Sequence, residues 1–249
     1  MIKAAIEKIV EMCVPHIVEP ACGEVVYSDK KLFPVARENT AAPINTGTLD
    51  SIVEYVKEYA VSDSIEVDRL LIHVVDYRTV MLMNCLNMDK QREVLMVAKA
   101  DVPQFPFSRF MDNEEFTIAV QSMFQDIVVP DDGADDKELV LKFSGTVTAG
   151  SVSQYKDDGV TQKATIKKGV ASKTEAVVPS PCRLRPYRTF VEVVQPMSEF
   201  IFRMREGGNN TVESALFVAD GGAWKITAMK TIKQYLEERL EGTGVTIIS

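Results

Sequence analysis

Apolar positions along this chain follow a helical period in some stretches and a strand period in others. Leu49, Ile52, Val53, Val56 and Ala60 fall at i, i+3, i+4, i+7 and i+11, with Asp50, Glu54, Lys57 and Glu58 opposite, which predicts a helix opened by Thr48. A charged helical pattern covers residues 3–18 until Pro15 interrupts it, because proline brings no N–H to the helix ladder. Residues 20–47 hold Pro20, Gly23, Pro34, Pro43 and Gly47 without a period and read as an extended arm. Three short β-type runs follow at 70–75, 79–83 and 92–98, joined by connections of hairpin length, which predicts an antiparallel meander. After the loop 103–107, a second helix starts at Asp112 with Glu115 completing a capping box. Phe116, Ala119, Val120, Met123 and Phe124 share its apolar face.

Beyond the exposed acidic turn at 131–136 the pattern becomes β-rich. Candidate strands are 139–147, 162–168, 189–194, 200–205 and 212–218, the last two closed into a hairpin by Gly207-Gly208-Asn209-Asn210. The chain ends in a helix from about Ala223 to Leu240, stopped by Gly242, with Ala228, Met229, Ile232, Tyr235, Leu236 and Leu240 as its apolar stripe. These elements predict an α+β fold: antiparallel sheets with packed helices, and a β-rich C-terminal half closed by an amphipathic helix. Its parts are residues 1–130 and 137–249, or the two form one continuous domain.

Composition narrows the function more than the fold. The 249 residues are 46% hydrophobic and 26% charged, as in ordinary globular chains. No apolar run approaches the length of a membrane span, and Glu7 and Glu11 break any signal-peptide core, so a cytoplasmic location is expected. The net charge of -8 is uneven: residues 156–206 hold ten Lys/Arg against six Asp/Glu. An acidic body argues against binding to duplex DNA, where affinity grows with the number of cations presented. Cys13, Cys22, Cys85 and Cys182 form no C-x-x-C pair and read as free, buried thiols of a reducing compartment.

The usual catalytic signatures are missing. His16 and His73 are the only histidines, and neither has a metal ligand at zinc spacing. There is no phosphate-binding loop of P-loop type, no dinucleotide fingerprint and no G-x-S-x-G elbow. The acidic turn lacks the spaced ligands of an EF-hand. No catalytic residue, metal site or cofactor is assigned. A hydrolase or nuclease whose carboxylates assemble only in three dimensions stays open as a third class.

Two features carry candidate chemistry. In the first, Arg183, Arg185, Tyr187 and Arg188 precede a strand on which Phe200, Phe202 and Met204 face one way and Ile201, Arg203 and Arg205 the other. Such arginines fit a phosphate or carboxylate fork, or ion pairs with Glu192, Glu199 and Glu206 on the same sheet. The second is the junction Asp220-Gly221-Gly222-Ala223-Trp224, where a strand turns directly into a helix. It reads as an anion pocket with an aromatic wall, or as a structural turn stapled by Trp224. The candidate ligand or anion residues are therefore Arg183, Arg185, Tyr187, Arg188, Arg203, Arg205, Gly221, Gly222 and Trp224.

The segment Pro186-Tyr187-Arg188-Thr189-Phe190-Val191-Glu192-Val193-Val194-Gln195-Pro196, then Ser198-Glu199-Phe200-Ile201-Phe202-Arg203, then Ala215-Leu216-Phe217 and Trp224-Lys225 resemble an uncharacterised family of bacteriophage and prophage proteins. Tyr27-Ser28-Asp29-Lys30 and Thr48-Leu49 are similar to it as well, so the resemblance spans roughly residues 24–240. It implies a phage origin and a place among early phage functions, in DNA metabolism or host interaction, and carries over no site residues. The expectation is a non-enzymatic accessory protein of the host cytoplasm that binds as a homo-oligomer. Its other partner would be a phage or host protein or a small anionic ligand, not a membrane. Two alternatives stand beside it: a binder that sequesters a small anionic or nucleotide-like ligand of host defence, and a virion structural component.

Overall fold

Helices form where the 3.6-residue pattern meets a sheet that can cover it. The computed structural model describes residues 2–13, 17–18, 27–28, 41–62, 70–86, 91–126, 136–153, 163–168, 172–208 and 211–249. The chain separates into two compact units, residues 1–41 and 42–249. The first contains helix α1 (Ile2–Cys13) and a short antiparallel pair, β1 (Ile17–Val18) with β2 (Tyr27–Ser28).

The larger unit is built on two cores. In one, α2 (Asp50–Ser62) and the last helix α5 (Trp224–Arg239) pack on a five-stranded sheet. Strands β4 (Leu70–Asp76), β5 (Thr79–Asn84) and β6 (Val94–Lys99) form its antiparallel centre, as their alternation predicts. The edges hold strands the sequence pattern did not mark: β3 (Ile44–Thr46), parallel to β6, and β14 (Thr246–Ile248), parallel to β4. Leu49, Ile52, Val53 and Val56 meet Ile72, Val74, Val80 and Leu82 from one end, and Ile232, Leu236 and Leu240 from the other. Each such buried side chain contributes roughly 1.5–3 kcal/mol of transfer free energy. The stripe of α5 is thus covered by its own chain. Ala60, placed on the α2 stripe by its spacing, has a side chain outside the described set, as do the acidic run 131–135 and the hairpin tip Asn209-Asn210.

In the second core, α3 (Asn113–Met123) and α4 (Lys137–Thr146) cover a four-stranded antiparallel sheet. Its order is β11 (Cys182–Leu184), β12 (Ser198–Glu206), β13 (Val212–Val218) and β7 (Met111–Asp112). Phe200, Phe202 and Met204 face inward as the alternation requires, with Phe116 stacked on Phe202 at 5.6 Å. Asp112 caps α3 by accepting from the Glu115 N–H at 2.8 Å. A further sheet joins β8 (Val147–Ser153), β9 (Lys163–Lys168) and β10 (Ser172–Val177). Both cores combine residues from either side of the acidic run 131–136. The fold is α+β, with the C-terminal helix following the strands.

Three expectations need correction. Residues 139–147, read as a strand, are mostly the helix α4. Leu139, Leu141 and Phe143 alternate like a strand, yet the buried positions are Lys137, Val140 and Ser144, a helical face, and Leu139 is exposed. The Lys137 amine sits under the end of α3, donating to Phe124 O and Asp126 Oδ1, both at 2.7 Å, where the last carbonyls of a helix attract a cation. Residues 189–194, also read as a strand, form a turn. Phe190 and Val193 enter the first core while Val191 and Val194 stay exposed. Among the thiols, Cys182 is buried as expected, but Cys85, just past β5, and Cys13 are exposed.

Candidate ligand site

The loop from Arg185 to Met197 is held by hydrogen bonds that replace a sheet ladder. Gln125 N–H donates to Arg185 O at 2.8 Å and Tyr187 N–H to Met123 O at 2.9 Å, which fixes the loop to the end of α3. The Gln195 side chain, 1% exposed, lies at its centre. Its Oε1 accepts from the N–H groups of Arg188 (2.9 Å) and Thr189 (3.2 Å), and its Nε2 donates to the carbonyls of Phe190 (2.9 Å) and Val193 (3.2 Å). One amide satisfies four buried backbone groups, the condition for burying an irregular loop. Thr189 Oγ1 donates to Tyr77 O at 2.5 Å, tying the loop to the β4–β5 turn.

This scaffold points Arg188 inward. Its side chain is only 9% exposed, and its guanidinium carbon lies 4.9 Å from the Phe107 ring, 5.1 Å from Phe200 and 4.5 Å from Trp224. Nη1 donates to Ser198 Oγ at 3.2 Å. Nε and Nη2 are enclosed and have no hydrogen-bond partner. Burial pulls the Arg188 pKa down to about 10, offset in part by the negative charge of Asp220 and then by Tyr77. The attraction of the three ring faces, about 0.5–2 kcal/mol each, explains how the group stays charged and buried.

Arg188 lines a cavity of about 230 Å³. Phe105 and Phe107 form one wall, Tyr187 and Pro186 another, and Tyr77 with Trp224 a third, their rings edge to face at 4.7 Å. Phe107 is set by the tight turn before it and by Ser108, whose N–H donates to Leu216 O at 2.8 Å from a left-handed φ of 61°. Non-glycine residues are rarely found there, and such strain concentrates at functional positions. Arg78 also lines the cavity, and its Nη2 reaches the carbonyls of Ala100 and Val102 at 3.4 Å.

The Asp-Gly-Gly junction closes the site from the helix side. Gly221 (φ 61°) and Gly222 (φ 87°) both take left-handed backbone, which only glycine adopts freely. Asp220 Oδ1 accepts from Gly222 N–H at 3.0 Å, while Oδ2 is enclosed without a partner. Asp220 and Arg188 act on each other through charge without an ion pair within 4 Å.

The nine residues marked in the sequence therefore separate. Tyr187, Arg188 and Trp224 line the cavity, and Gly221 and Gly222 shape the turn beside it. Arg183 is exposed on β11, and Arg185 is buried on the neighbouring turn of chain; neither lines the cavity. Arg203 and Arg205 occupy the outer face of β12, where Arg205 Nε pairs with Glu213 Oε2 at 2.7 Å and its guanidinium covers Phe110 at 4.1 Å. Glu192, offered as an arginine partner, instead accepts from Leu49 N–H at 2.7 Å at the start of α2. Tyr77, Arg78, Phe105, Phe107 and Asp220 were not marked; Asp76-Tyr77-Arg78 and Pro103-Gln104-Phe105-Pro106-Phe107 were read only as turn and loop. Among the described residues no group of three or more His, Cys, Asp or Glu is placed to hold a metal ion. No helix among them is long and apolar enough to cross a membrane. Comparison of the chain with protein-family models, with curated proteins and with solved structures returned no match.

Proposed function

We propose that this protein binds a small anionic molecule carrying a flat ring, taken up in the cavity around Arg188. The observation that carries the reading is a guanidinium nine-tenths buried among three aromatic rings, with two N–H groups lacking any partner, at the edge of an aromatic-walled space. A buried cation without hydrogen bonds costs stability, and an anion seated on those donors offsets that cost with charge-assisted bonds. The rings supply apolar contact for the rest of the ligand, the usual composition of a small-molecule site. Entry to the enclosed donors runs past Trp224, half-buried in the first turn of α5 behind two left-handed glycines.

Isothermal titration and thermal unfolding with benzoate, phenyl phosphate, benzyl alcohol and benzylamine test the reading. The expected result is binding of the two anions at one site per chain, with about 2.7 kcal/mol of stabilisation at a hundredfold excess over Kd. The alcohol and the amine should not bind, and Arg188→Met should remove anion binding. Equal affinity of wild type and Arg188→Met for the anions, or no binding by either anion, defeats it.

A further inference from the structure

The class of anion follows from the charges around the cavity, an inference that rests on the binding reading above. Phe107, Phe200 and Trp224 already lie over the Arg188 guanidinium at 4.5–5.1 Å, so its stacking faces are taken and only its edge remains. Nη1 is directed to Ser198, which leaves Nε and Nη2, neighbouring donors in one plane. That fork matches two oxygens of a carboxylate or of a phosphate, so geometry alone does not choose.

Charge does. Asp220 is held by its bond to Gly222 N–H and keeps an enclosed, unpartnered oxygen close enough to act on Arg188. Arg78 and Arg188 line the space, and Lys225 Nζ lies 5.5 Å from the Tyr77 ring centroid. Opposite them stand Asp220 and Asp76, whose Oδ1 accepts from Arg78 N–H at 2.6 Å. Three cations face two carboxylates, a surplus of one positive charge. One negative charge on a ligand balances it, while a second would meet the Asp220 carboxylate uncompensated in a poorly solvated place. Size sets the other bound: a cavity of about 150 Å³ already holds benzene, so about 230 Å³ admits one aromatic ring with its acid group.

We infer that the ligand is an aromatic monocarboxylate and that Asp220 is the residue that sets the accepted charge, turning away dianions such as phosphate monoesters. Titration of wild type and Asp220→Asn with benzoate and phenyl phosphate at about pH 8, where the phosphate is a dianion, reads this directly. Wild type should prefer benzoate by roughly tenfold or more, and Asp220→Asn should shift the ratio toward phenyl phosphate by about tenfold, the scale of one like-charge contact at a part-buried site. Asp220→Ser, which keeps an acceptor for the Gly222 N–H, serves if the asparagine variant folds poorly. An arm on unmodified protein lowers the pH to about 5, where phenyl phosphate becomes a monoanion; its affinity should rise several-fold while that of benzoate holds. A preference for phenyl phosphate in wild type, or a ratio unmoved by both the substitution and the pH, overturns the inference and leaves Arg188 as an anion site. Failure of both probes to bind wild type defeats the binding reading itself.

Discussion

The guanidinium carbon of Arg188 lies 4.5 Å from the centroid of the Trp224 indole, joining an irregular loop of one core to the first turn of the helix that covers the other. Tyr77, from the β4–β5 turn, meets the same indole edge-on, and Asp220, two residues before the first glycine-to-helix step is complete, holds the turn in between. Loop, hairpin turn and helix start thus converge on one cation. That arrangement makes the site sensitive to a few residues whose effects can be separated.

Replacing Arg188 distinguishes a binding residue from a structural one. Removing one member of a satisfied buried ion pair costs about 3–5 kcal/mol, but two of the Arg188 N–H groups have no partner to lose. Arg188→Met should therefore unfold within about 1 kcal/mol of wild type, as measured by urea denaturation, while losing anion binding. Because Trp224 is the only tryptophan, its emission should respond to benzoate in wild type and stay constant in the variant.

Gln195 should matter far more for stability. Gln195→Leu preserves volume yet strips four buried backbone groups of their partner. With roughly 1–3 kcal/mol for each group left wholly unsatisfied, and partial relaxation of the loop, the net loss should be about 3 kcal/mol by chemical denaturation. A loss below about 1 kcal/mol would show that the loop keeps its shape without the amide.

Gly221 tests backbone strain alone. Its φ is 61°, and a Cβ built there meets nothing within 4 Å. Gly221→Ala should cost about 1 kcal/mol, from the left-handed conformation and not from a clash, lowering Tm by a few degrees.

Alkaline stability should carry the signature of Cys182. Burial first, and then the charge of Asp136, push this thiol from 9.0 up to about 12. The unfolded chain releases that proton near pH 9 and the folded chain holds it to about 12, so stability is lost as pH rises across that interval. Tyr235, raised to about 12 chiefly by burial and then by its bond to Asp50, works in the same direction between 10 and 12. Arg188 opposes them: its folded pKa of about 10 lies below 12.5, so it adds stability as pH rises above 10. Between pH 9 and 10 Cys182 acts nearly alone, and Cys182→Ala should flatten the fall in urea midpoint there, whatever its uniform offset. An unchanged slope would remove the thiol as the cause.

Local pattern and tertiary contact divided the work unevenly. The stripe Leu49, Ile52, Val53, Val56, the alternation of β4 to β6, the Asp112 cap, the hairpin of β12 and β13, and the stripe of α5 were all legible, because each is written within one turn or one ladder of consecutive residues. Residues 139–143 carry apolar side chains at both periods, and only the second core, with Lys137 under the end of α3, decided for a helix. The turn at 189–194 was hidden because its β-branched residues suit a strand, while the amide that bends them belongs to Gln195.

For the site, the sequence alone singled out Tyr187, Arg188, Gly221, Gly222 and Trp224, since a cation beside a ring and glycines before a helix are local signals. Which arginine is used was a matter of three dimensions. Arg205 finds Glu213 on the next strand, whereas Arg188 is turned inward by a buried amide and meets rings from residues 107, 200 and 224. The cavity needs Tyr77, Phe107, Arg188 and Trp224 from four separate stretches of chain, and no period within any of them encodes the meeting. Burial of that one charge, the property on which the proposed binding depends, exists only once both cores have closed around it.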